Sequence, residues 1–132
     1  MGRVAGTSAV LDVAAIETSG PVRGRYRTSG GMRRLAGVAT TRRGQKVCHD
    51  GYASKTACDI TVVGSRSRNG VVTRVYGHST GVAARRGDSG GLVFDRRGRA
   101  VGIISSISRD GHLVSWTPAR TALGAWGLSV AR

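Results

Sequence analysis

Short runs of β-forming residues, each closed by a turn signal, repeat along nearly the whole chain. They cover residues 9–16, 35–40, 57–63, 71–76, 91–95, 100–108 and 112–116. This pattern leaves no room for a helical fold and points to an all-β barrel or sandwich. Asn69-Gly70 sits between two runs and reads as a tight hairpin turn. Arg97-Gly98 and Asp110-Gly111 read the same way, and Gly31 and Gly44 mark looser corners. A helix is signalled once, near the C-terminal end. Thr117 offers a cap and Pro118 a first-turn proline, Leu123 and Trp126 share a face, and Gly127 supplies a stop.

The chain's 132 residues make one domain, large enough to bury a core. Aromatic residues are only 5% of it, so the core must be built from Val, Ile, Leu and Ala. The 21 glycines have no three-residue period, which excludes a collagen-type chain, and two prolines are too few for a proline-rich one. No apolar run reaches the length needed to span a bilayer, and no apolar segment of a signal peptide follows Arg3. A membrane partner is therefore not expected. The net charge is +14, and 19 of the 21 basic residues are Arg. They are scattered in ones and twos with no basic tail or helix, which reads as a solvated basic surface rather than a nucleic-acid site.

The chemistry is concentrated in Gly87-Asp88-Ser89-Gly90-Gly91. This is a tight turn with a serine at its apex, and glycines on both sides permit unusual dihedrals and close approach of another chain. The N–H groups of Gly87 and Ser89 can converge on one point and stabilise an oxyanion while Ser89 Oγ attacks a carbonyl. An apolar strand, Leu92-Val93-Phe94, and a hairpin to Ala100-Val101-Gly102-Ile103-Ile104 follow directly. Together these elements resemble the nucleophile loop of chymotrypsin-like serine proteases.

The resemblance extends to the bacterial branch of that family, the streptogrisin and α-lytic protease type. Val47-Cys48-His49-Asp50-Gly51 with Cys58 is similar to its Val-Cys-x-x-Gly…Cys strand pair. Trp116-Thr117-Pro118 and the segment 122–130 resemble its terminal strand and helix, and Leu11–Ile16 the strand that carries the triad Asp. The likeness runs from about Val4 to Val130. It implies a double β-barrel with a partial first barrel (residues 1–34), a complete second barrel with a short C-terminal helix (35–132), and peptide-bond hydrolysis through an acyl-enzyme on Ser89. It further implies Asp12 as the acid orienting a catalytic His, and Gly87 and Ser89 as the oxyanion hole. Ser105, Ser106, Ile107 and Arg86 would contact a protein or peptide substrate. The even cysteine count and the matching spacing imply a Cys48–Cys58 disulfide and an exported protein. No cofactor is implied. Two cysteines without a Cys-x-x-Cys make no zinc site unaided, and no phosphate-binding glycine loop occurs.

Several positions depart from the family pattern. Its order is His, then Asp, then Ser, yet none of the eleven residues before Asp12 is His; His49, His78 and His112 all follow it. Without a base Ser89 keeps its proton. Three explanations are open: a truncated reading of a longer protease, a degenerate relative, or a second polypeptide that supplies the missing half. Leu92 stands in place of a common Pro. His49 replaces a basic residue that pairs with the buried Asp, leaving His49, Arg85 or Arg86 to serve Asp88. Ser106-Ile107 replaces a Gly-Gly pair and narrows the specificity pocket, and the cysteines that brace this pocket in relatives are absent. The alternative function is a non-catalytic basic module that binds acidic partners.

Overall fold

The computed structural model describes residues 3–8, 13–17, 25–28, 31–51 and 55–125. Two small antiparallel sheets come first. One pairs β1 (Arg3–Ser8) with β2 (Val13–Glu17), the other β3 (Arg25–Thr28) with β4 (Gly31–Arg34). Six further strands close into a barrel. They are β5 (Lys46–Gly51), β6 (Lys55–Arg68), β7 (Val71–His78), β8 (Leu92–Phe94), β9 (Ala100–Ile107) and β10 (Leu113–Pro118), in the spatial order β10-β7-β6-β5-β8-β9. Pairing of β9 with β10 completes the ring, so no barrel strand is left with two open edges.

The barrel interior follows from side-chain alternation. Along β7, Thr73, Val75 and Gly77 point inward and their neighbours outward. The described core is Val47, Ile60, Val62, Val75, Val93, Val101, Ile104, Val114 and Trp116, with several alanines. No leucine is among the buried residues described, although Leu was expected to share the core. Trp116 is fully buried in the barrel core. Its indole lies against the backbones of Gly77 and Gly102, on the strands flanking β10. A Cβ on Gly102 would stand 2.1 Å from Trp116 Cδ1, and one on Gly77 would stand 2.6 Å from both Trp116 Cζ3 and Ile60 Cγ2. The two glycines are therefore space requirements of a single large ring.

The turns sort by length. Asn69 (φ 52°) and Gly70 (φ 78°) make the expected two-residue hairpin between β6 and β7. Arg97-Gly98 and Asp110-Gly111 also lie in hairpin connections, but longer ones. Gly98 N–H donates to Asp95 O and Gly111 N–H to Ser108 O, each at 3.0 Å, and only the glycine of each pair takes a positive φ. The expected strand at 35–40 does not form. This segment makes only a parallel bridge from Val38 to Ala100, flanked by hydrogen bonds of Ala36 and Gly37 to the start of β9 and its turn. Gly37, at φ 129°, breaks the extended run. The strands β1, β3 and β4 have weak β-forming patterns and were not anticipated. Gly31, read as a corner, opens β4.

The helix α1 (Ala119–Gly124) starts one residue later than expected. Thr117 ends in β10, and Pro118 rather than Thr117 occupies the cap position, without a side-chain cap bond. Thr117 instead accepts a hydrogen bond from the Arg74 guanidinium at 2.8 Å, and Thr121 Oγ1 donates to Val72 O. These bonds and the buried Ala119 and Ala122 dock the helix on the barrel. Trp126 and Gly127 lie outside the described residues.

Because Trp116 leaves no space beside Gly102, Gly102→Ala should destabilise the fold by about 1–3 kcal/mol. Gly64 lies in β6, where an added Cβ meets nothing within 4 Å. Gly64→Ala should therefore stay within about 0.5 kcal/mol of the parent. Urea unfolding of the two variants checks the contrast.

Candidate active site

The segment from Ser79 to Gly91 leaves β7 and returns into β8, and its last residues form the serine turn. Asp88 is fully buried. Its Oδ2 accepts the Arg85 N–H at 2.7 Å, while its own N–H donates to Arg85 O at 3.0 Å. Gly91 N–H donates to Asp88 O, and Gly90 N–H and Gly91 O bond to Ile104 of β9. Gly87 at φ 100° and Gly90 at φ 85° take conformations that other residues avoid. Ser89 is left exposed between them. Among the described residues, the turn's hydrogen bonds use the N–H groups of Arg85, Asp88, Gly90 and Gly91, not those of Gly87 and Ser89.

Beneath the turn lies His49, with no exposed surface. Its Nε2 is 3.4 Å from Asp88 Oδ2, an electrostatic contact longer than a good hydrogen bond. Burial lowers the His49 pKa, against the opposing pull of Asp88 and Asp50. The imidazole is therefore neutral at pH 7, and the imidazolium counter-charge considered from the sequence gives way to a neutral neighbour. Arg85 meets Asp88 through its backbone N–H, which is not the cationic side chain that the sequence called for.

The strand register explains how His49 gets there. β5 lies between β6 and β8, with His49 opposite Val93 of β8. On the other side Val47 faces Ile60 and His49 faces Ala57, so β6 carries an extra residue, and both Cys58 and Asp59 lie opposite Cys48. Asp59 absorbs this bulge at φ 69°. The bulge brings the Cα atoms of Cys48 and Cys58 to 4.0 Å, and the two are joined in a disulfide.

An open cleft of about 690 Å³ adjoins the turn. One wall is Ala84, Arg85, Arg86 and Gly87 with Ser89; the other is Ile107, Ser108, Arg109, Asp110 and Gly111. The walls are held together at Gly111, whose carbonyl accepts the N–H groups of Ala83 and Ala84. A Cβ on Gly111 would stand 2.7 Å from Ala84 O. Arg86 and Ile107 were expected at this site, and both line the cleft. Ser105 and Ser106 lie just before Ile107 on β9, which runs on to Ile107 beyond the end of its register with β8 at Ile103. Ser106 Oγ is hydrogen-bonded to Ser115 Oγ across β10. Arg109 and Asp110 were not anticipated; the only signal for them was the hairpin glycine at 111. Asp12 lies outside the described residues.

His49 and His112 are engaged elsewhere, and His78 is exposed at the end of β7. His112 Nδ1–H donates to Gly81 O at 2.6 Å and Ser79 O at 3.1 Å, and its ring is 6.3 Å from that of His78. His49 is sealed beside Asp88. Among the described residues, no hydrogen bond joins Ser89 Oγ to a histidine.

No family model matches the chain, and no curated protein matches it. Solved structures do. Cellulomonas bogoriensis chymotrypsin superposes with a TM-score of 0.79 at 26% identity, covering 98% of this chain and 74% of that one. Thermobifida fusca protease A gives 0.80 at 22% identity, with 99% and 75% covered. A glutamic-acid-specific serine protease that uses a histidine triad in substrate binding gives 0.76 at 24% identity, with 98% and 73% covered.

The neutral, buried His49 carries a pH dependence. Its folded pKa lies below the ordinary value of 6.5, so below that pH the unfolded chain takes up a proton that the folded chain resists. The stability associated with a neutral His49 is present above pH 6.5 and is lost as the pH falls below it. The denaturation midpoint should drop between about pH 7 and about pH 5. That drop should shrink in His49→Gln; equal slopes in the two proteins would contradict the assignment.

Proposed function

Starting from a chain that carries the fold of the bacterial chymotrypsin-like serine proteases, we propose that its cleft is a peptidase-type acyl-transfer site with Ser89 as the nucleophile. The observation that carries this reading is the turn itself: an exposed serine between two positive-φ glycines, braced from below by buried Asp88 and opening on a cleft. In the proposed reaction Ser89 Oγ attacks the scissile carbonyl while the Gly87 and Ser89 N–H groups stabilise the developing oxyanion. The C–N bond then breaks, the amine leaves with a proton, and water hydrolyses the acyl-enzyme. An extended peptide would pair along β9 beyond Ile104, by strand addition, so that Ser105, Ser106 and Ile107 meet its backbone. The substrates are proteins or peptides, and the disulfide suits an oxidising, extracellular setting.

Proton transfer is the part these 132 residues do not supply. With His49, His78 and His112 placed as described, the base comes from a histidine-bearing segment outside them, fused or in a second chain, and Asp12 orients it. Without that segment the chain is inactive or weakly active. A second reading, a non-catalytic module for acidic partners, is favoured by the +14 charge and the arginines beside the cleft.

A fluorophosphonate probe separates the two. The chain alone should label no faster than its Ser89→Ala variant, because triad members act as a unit. Fusing a histidine-bearing N-terminal half from a protease of this fold ahead of Val4 should raise Ser89 labelling and ester hydrolysis by orders of magnitude, with Ser89→Ala abolishing the gain. A folded fusion that neither labels nor hydrolyses would leave the binding-module reading in its place.

A further inference from the structure

The charges around the cleft are one-sided. Arg85, Arg86 and Arg109 line it, and all three residues are exposed. Arg86 and Arg109 come from opposite walls, one directly before the oxyanion turn and one from the β9–β10 connection. Arg85 also borders the adjacent hollow around Cys58 and Ser79. Among the described residues, none of the three guanidinium groups is in an ion pair.

One acidic side chain lines the same cleft, Asp110. It is turned to a structural task. Its Oδ1 accepts the Ser108 hydroxyl at 2.7 Å and the His112 N–H at 2.9 Å, closing the β9–β10 connection on itself. Those bonds, the Ser108 hydroxyl first, hold its carboxyl below the usual range, so it stays ionised. Three positive charges against one negative leave the cleft short of anionic partners. The remaining lining is Gly87, Ser89, Ser108 and Gly111 with the apolar Val82, Ala84 and Ile107. None of these is aromatic, so the cleft offers no stacking platform for a nucleic-acid base.

We propose that this cleft is a specificity site for an acidic peptide side chain, Glu or Asp, whose carboxylate is gripped between Arg86 and Arg109 while its methylenes lie on Ile107 and Val82. A guanidinium matches a carboxylate with paired N–H donors, and two of them lining one cleft select for a negative charge. The arginines repel Lys and Arg side chains. The proposal rests on the peptidase reading for its placement beside Ser89, but not on the missing base, because it concerns binding.

The test uses the chain itself with fluorescein-labelled tetrapeptide amides Ala-Ala-Ala-X, where X is Glu, its isostere Gln, or Lys, followed by fluorescence anisotropy. The Glu peptide should bind about tenfold more tightly than the Gln peptide, the scale of one charge-assisted contact, and the Lys peptide more weakly than either. Arg86→Ala combined with Arg109→Ala should bring Glu binding down to the Gln level and leave Gln binding unchanged, which also reports that the variant is folded. Arg96→Ala with Arg97→Ala, removing two exposed arginines of the β8–β9 turn, should keep the Glu preference. Equal affinity for Glu and Gln, or equal loss in both arginine pairs, would overturn the proposal in favour of a diffuse basic field. Ser89 labelling in the histidine-restored fusion reports separately on the peptidase reading. Labelling without a Glu preference keeps the nucleophile and removes the acidic specificity. A Glu preference without labelling keeps the acidic cleft and removes the peptidase.

Discussion

Trp116 is the piece around which the barrel closes. One indole fills the space between β7, β9 and β10, and it fits because Gly77 and Gly102 present bare backbone to its faces. A chain with 5% aromatic residues has few ways to fill a six-stranded ring. Val, Ile and Ala make up most of the core, and Trp116 is its largest fully buried side chain. The close approach of β9 and β10 at this ring positions Ile104, whose backbone groups hold Gly90 and Gly91. The path from core packing to the serine turn is therefore two residues long.

A second path reaches the turn from β5. Cys48 is bonded to Cys58 across the bulge, and the next residue, His49, lies beneath Asp88. Burying a carboxyl group is costly unless hydrogen-bond partners meet it. Here the Arg85 N–H supplies a short bond, while the neutral His49 excludes water without adding charge. The Arg85 backbone N–H and the His49 ring are thus two of the contacts that fix Asp88 beneath the turn.

Much of this was legible from residue types alone. Asn69-Gly70 specified its hairpin because positive φ at both positions leaves few other residues. The serine turn was legible for the same reason, through Gly87 and Gly90. The paired cysteines were read through a family likeness, and the bulge that brings them together had no sequence signal. What stayed hidden depended on tertiary packing. Gly77 and Gly102 look like strand-weakening residues until the indole between them is seen. Leu35–Thr40 has strand composition, yet Gly37 and the neighbouring β9 turn it into a bridge. Arg109 and Asp110 belong to a hairpin connection, and nothing local says that it forms the far wall of a cleft that starts at Ala84.

The way the serine turn is tied down sets the thermodynamic character of anything that binds beside it. It is stitched to β9 through Ile104 and backed by β5 through His49, and these two strands flank β8 on both sides. Gly111 fastens the opposite wall to Ala83 and Ala84. A cleft held at this many points presents a ligand with backbone already in place. The ordering that remains on binding is confined to exposed side chains, chiefly the long arginines, each costing about 0.5–1.5 kcal/mol when immobilised. Selectivity here is accordingly a matter of which side chains are worth freezing, with the main chain's entropy already spent in folding.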